Sequence, residues 1–143
     1  MELNLAGNVF DVDPERTRAY YQSNTVCACA YCRCFREQVR ARYPQMTALL
    51  ERFGVDAARP DETEPYEQDG SILFAAVHYT VCGSIPRLTA KEPVPQTESG
   101  LRYLFHPSED EAHSFPNEQQ GPYFCITVWN LTLPCDWAAV PDE

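Results

Sequence analysis

The stretch Asp69-Gly70-Ser71-Ile72-Leu73-Phe74-Ala75-Ala76-Val77-His78-Tyr79-Thr80-Val81 decides the fold. Asp-Gly is a tight-turn signal, and the apolar run from Ile72 to Val81 that follows it predicts a hairpin opening into a long strand. Two further strands are expected downstream, Leu101 to Phe105 and Tyr123 to Leu133. In the second, strict alternation puts Phe124, Ile126 and Val128 on one face and Tyr123, Cys125, Trp129 and Leu131 on the other. Both faces of the longest runs are apolar, which predicts a sheet covered on two sides.

Upstream the period changes. Cys32, Phe35, Val39 and Tyr43 recur at three- and four-residue intervals, which predicts a helix over about 31–43. Pro44 stops it and suits the first turn of a second helix over 44–53, whose apolar face is Met46, Leu49, Leu50 and Phe53 and whose cap is Gly54. Before them, Leu3, Leu5, Phe10 and Val12 alternate around the Gly7-Asn8 turn signal as short strands do. Asp13-Pro14-Glu15 reads as an N-cap with proline at the first helical position of a short helix to about Gln22. The expected fold is therefore α+β: an N-terminal helix pair packed on a mostly antiparallel sheet formed by the C-terminal part, in one domain spanning 1–143.

Composition agrees with a single core, since 143 residues with 44% apolar and 12% aromatic content can bury one. No run approaches the roughly 20 apolar residues of a membrane helix, and the start has neither a basic nor an apolar leader region. A soluble, cytoplasmic protein without membrane contact is expected. The net charge of −10 argues against nucleic acid as partner. Its distribution is uneven: residues 1–59 hold eight Arg against seven acids, and residues 60–143 hold three basic residues against fourteen acids. Ten of the twelve prolines also lie from Pro60 onward, as suits strands and loops.

The cysteines carry the most chemistry. Four of seven lie in Cys27-Ala28-Cys29-Ala30-Tyr31-Cys32-Arg33-Cys34. In a reducing compartment, with an odd total, metal or free thiols are better readings than a disulfide framework. Zinc takes four tetrahedral sulfur or nitrogen ligands. Cys32 and Cys34 sit about 200° apart on a helix begun by Tyr31 and cannot share an ion. The workable set is Cys27, Cys29 and Cys32 with one remote ligand from Cys82, Cys125, Cys135, His78, His106 or His113. The alternative to metal is reduced, structural cysteines, and a further one is thiol–disulfide oxidoreduction. Cys29-Ala30-Tyr31-Cys32 is a C-x-x-C at a helix start, where the dipole favours thiolate. A thioredoxin-like fold is not indicated, because no long apolar strand leads into Cys29.

Other signals have plainer readings. Arg33, Arg36 and Arg40 share a helix face, which suits an anionic partner but is explained by ion pairing or solvation. His106 to His113 reads as an exposed acidic loop, and His78 as a hydrogen-bonded core residue. Common nucleotide-binding and hydrolase motifs are missing. The functional expectation is a non-catalytic binding or assembly module for a protein partner, with structural zinc as the cofactor candidate. A further alternative is an acidic protein-interaction surface or a nucleic-acid mimic. A homodimer is expected if the second sheet face, bearing Tyr79, Val81, Trp129 and Leu131, is not covered by the proline-rich segments 86–100 and 107–122.

Overall fold

A computed structural model of the chain describes residues 1–5, 7–23, 29–88, 94–95, 102–107 and 122–134. In chain order the elements are β1 (Glu2–Leu5), β2 (Asn8–Val12), α1 (Pro14–Ser23), α2 (Ala30–Arg42), α3 (Pro44–Arg52), β3 (Glu62–Gln68), β4 (Ser71–Arg87), β5 (Val94–Pro95), β6 (Arg102–Pro107) and β7 (Tyr123–Pro134). Every strand pairing among the described residues is antiparallel. The fold is α+β, with the helices N-terminal and most strands C-terminal; β1 and β2 extend the sheet with strands from the N-terminus.

Local chemistry sets the element ends. Asp13 Oδ1 accepts the Arg16 amide at 3.1 Å and so caps α1, with Pro14 at its first position. Pro44 begins α3 directly after Tyr43 closes α2. Gly54, at φ +83°, ends α3 in the left-handed conformation as the sequence indicates. Gly70 makes the β3–β4 turn at φ +75°.

The sheet runs β1-β2-β4-β7-β6-β5, with β3 also beside β4. β4 and β7 are the two long apolar strands and pair from Ser71↔Pro134 to Cys82↔Tyr123. On its other side β4 is shared: its first half pairs with β3 up to His78, and its end pairs with β2 from Gly83 onward. The gap between those two neighbours is filled by α1. The Tyr21 hydroxyl donates to the Thr80 carbonyl at 2.7 Å and accepts the Thr80 amide at 2.8 Å, while Thr17 Oγ1 accepts the Cys82 amide at 3.0 Å. A helix thus supplies the hydrogen bonds that a strand would have made, as buried backbone groups require. Tyr43 repeats the arrangement on β7, bonding the Thr132 carbonyl and amide at 2.9 and 3.0 Å.

The core lies between the helices and one face of the sheet. Phe10 stands at its centre, with ring centroids 4.9 Å from Phe105, 5.2 Å from Phe53 and 5.5 Å from Phe124. The alternation expected along β7 breaks at Asn130, which takes φ 65°, so Leu131 joins Phe124, Ile126 and Val128 in the core. The same three-residue step separates Phe74 from Val77 on β4, and the register Phe74↔Leu131 and Val77↔Val128 is preserved because both strands shift together. Tyr79 and Val81 are therefore core residues as well, not members of the second face assigned by strict alternation. The second face instead carries Ala76, Thr80, Leu104, His106, Cys125 and Thr127, all buried. Three of the four apolar residues that motivated a second subunit are already covered within one chain.

Candidate functional site

The cysteine-rich start of α2 is described from Cys29 onward; Cys27 and Cys135 lie outside the described residues, as does His113. Cys29 is the N-cap of α2 and Cys32 lies in its first turn, both partly exposed at the same helix end. Cys34 turns into the core beside Phe35, so the helix separates it from Cys32 as the 100° step per residue requires. Cys82 and Cys125 are buried in β4 and β7. None of Cys29, Cys32, Cys34, Cys82 and Cys125 forms a disulfide among the described residues. Among the described residues no three His, Cys, Asp or Glu side chains group as a metal site. The helix start is tied down by Tyr31, whose hydroxyl donates to Glu67 Oε1 at 2.6 Å, and this bond raises the tyrosine pKa.

A second cluster occupies the buried second face. Thr127 Oγ1 lies 3.0 Å from His78 Nδ1 and 3.0 Å from His106 Nε2. A hydroxyl has one proton to give, so it donates to at most one imidazole and accepts from the other, which ties the two tautomers to each other. Burial depresses His78 from 6.5 to about 4, and it is neutral at pH 7. His78 is the hydrogen-bonded histidine that its strand position predicts. His106 is a correction: β6 runs to Pro107, and His106 is buried in the sheet, not part of an exposed acidic loop. Residues 108–113 of that expected loop lie outside the described residues. The signal was available in the alternation of Tyr103 and Phe105, which puts His106 on the opposite face of a strand that runs two residues past Phe105.

Beside this face, Asp61 accepts the Thr80 hydroxyl on Oδ2 at 2.6 Å and the Tyr20 hydroxyl on Oδ1 at 2.5 Å. Burial raises its pKa, and the two hydroxyl bonds oppose that rise. Asp61 is thus a structural latch between α1 and β4. No family model, curated protein or solved structure matches this chain. Function is read from its own residues.

The remaining chemistry faces outward on β3. This strand pairs with β4 alone among the described strands, and Glu62, Glu64, Tyr66, Glu67 and Gln68 are exposed along it. Tyr66 is 59% exposed, one of two large hydrophobic side chains so placed among the described residues. Pro65 has no amide proton, and the pairing register shifts between Thr63 and Pro65. Both features, with the glutamates, discourage edge-to-edge pairing with another sheet. What this edge offers a partner is its side chains. The arginine stripe of α2 meets its plainer reading at Arg40, which pairs with Asp56 at 2.6 Å.

Proposed function

We propose that this protein is a non-catalytic binding or assembly module that presents the acidic β3 edge to a basic segment of a protein partner. The observation that carries this reading is Tyr66 standing exposed on an edge strand that also exposes Glu62 and Glu64. Carboxylates steer a Lys- or Arg-rich segment, and an exposed aromatic ring adds cation–π and apolar contact at short range. The nucleophilic and titratable groups of the second face support the same reading, because His78, His106, Thr127 and Asp61 are engaged with one another or with α1 and β4. A cytoplasmic setting belongs to the proposal. The test is titration with a short Lys/Arg-rich peptide. Saturable binding that is strong at about 50 mM salt, weakens at about 300 mM and is lost in Glu62→Gln/Glu64→Gln/Tyr66→Ala is expected, since surface charge is screened by salt. Binding that the triple variant leaves intact would put the partner elsewhere.

Structural zinc is the second reading. It is favoured by Cys29 and Cys32 lying together, partly exposed, at one helix end, with Cys27 two residues before them in the sequence. Metal analysis of protein never exposed to chelator should then give close to one zinc per chain, and less than about 0.2 equivalents would remove this reading.

A further inference from the structure

We propose that the cleft between α1, α2 and the segment following α3 binds a small dianion of phosphate or carboxylate type. This site is separate from the β3 edge and opposite to it in charge. The cleft has a volume of about 410 Å3, within the range that holds small ligands. Arg18, Tyr21 and Gln22 line it from α1, and their spacing puts them on one face of that helix. Arg40 enters from α2, and Asp56 and Arg59 from the segment after α3.

The walls are held in place. Gly54 lines the cleft, and a Cβ at this position would stand 2.5 Å from the Pro14 carbonyl oxygen. Only glycine lets the end of α3 close on the start of α1. Tyr21 is pinned at its hydroxyl to both backbone groups of Thr80, so the face carrying Arg18 cannot rotate without breaking buried hydrogen bonds. Asp56 Oδ1 accepts the Ala58 amide at 3.0 Å and Arg40 Nη2 at 2.6 Å. That carboxylate belongs to its own turn and orients Arg40, whose other guanidinium donors remain for a ligand.

Charge then selects the ligand. Among the described residues, three guanidinium groups line the cleft with Glu51 and Asp56, in a chain whose net charge is −10. A local excess of cations in an acidic protein is the reverse of the background, and the planar guanidinium fork matches the oxygens of phosphate and carboxylate. An extended polyanion would meet the negative remainder of the molecule, whereas a small dianion meets only the cleft.

The experiment titrates the full chain with inorganic phosphate and, separately, with succinate, at constant ionic strength set by chloride. Saturable binding of at least one is expected, and the anion that binds more tightly identifies the source as phosphate or carboxylate. Arg18→Ala and Arg59→Ala should each weaken it about tenfold, the loss of one charge-assisted contact, and Arg42→Ala, outside the cleft, should leave it unchanged. Arg18→Lys keeps the charge and the helix but removes the fork, and it should also weaken binding. Lack of saturation by either anion up to about 10 mM, or equal weakening by Arg42→Ala, overturns the proposal.

Discussion

On the face of the β4–β7 pair that meets the helices, burial is aromatic and aliphatic: Phe74, Tyr79, Phe124, Ile126 and Leu131 are all enclosed. On the opposite face of the sheet Thr80, His106 and Thr127 are enclosed as well, and beside Ala76, Leu104 and Cys125 they bury polar atoms. The first face is stabilised in proportion to the apolar area removed from water and is indifferent to direction. The second gains little from burial itself and depends on each donor meeting its acceptor, because an unmade buried hydrogen bond costs more than a made one contributes. The two faces should therefore fail differently: the first with volume, the second with a single atom.

Phe124→Ala is the largest expected disruption. Phe124 stacks on Phe10 at 5.5 Å and meets Phe53 edge-on at 6.2 Å, so truncation opens a cavity against two rings. A loss of about 3–5 kcal/mol is expected by urea denaturation. Phe124→Leu should recover most of it, since this face asks for bulk.

Thr127→Val breaks the other face while keeping its shape. The methyl that replaces Oγ1 removes the atom that His78 Nδ1 and His106 Nε2 share. A cost of about 1–3 kcal/mol is expected with no cavity formed, and Thr127→Ser should restore much of the stability where a purely steric role would not. If Val is tolerated and Ser is the damaging variant, the second face is held by packing after all.

Acid gives the smallest effect and separates the groups on the polar side. His78 is near 4 in the fold against 6.5 ordinarily, so the unfolded chain binds the extra proton first. Its contribution is fully present above about pH 6.5 and is lost as pH falls toward 4. Asp61 works in the opposite sense, because its raised pKa makes the folded chain hold a proton that the unfolded chain releases. The wild-type denaturation midpoint should therefore fall only modestly between pH 7 and pH 5, and His78→Gln should flatten that fall. An unchanged slope in His78→Gln would assign the acid sensitivity elsewhere.

Much of the architecture was legible in local pattern. The three- and four-residue spacing through Phe35 and Val39, Pro44 as stop and start, Gly54 as cap, and Asp69-Gly70 as turn each act within a few residues, and the α2, α3 and β4 elements follow them. The strand β3 was harder to read because Glu62 to Gln68 has no apolar face; its place comes from pairing with β4 and not from burial. The cysteine set was legible as a motif, yet only the helix start from Cys29 can be placed, with Cys34 in the core and no third described ligand grouped with Cys29 and Cys32.

The sequence by itself determined the α+β class, the element types and the caps, because helix and strand periods and the backbone limits of proline and glycine are local properties. Tertiary structure alone decided which face of each strand is core, since the matched steps at Phe74 to Val77 and Val128 to Leu131 invert the alternation on two strands that are far apart in the chain. It also decided that Tyr21 and Tyr43 complete sheet edges, that one threonine hydroxyl joins two histidines, and that Arg18, Arg40 and Arg59 share a cleft. Those are long-range pairings of polar atoms, and a hydrogen bond leaves no period in the sequence from which its partner could be read.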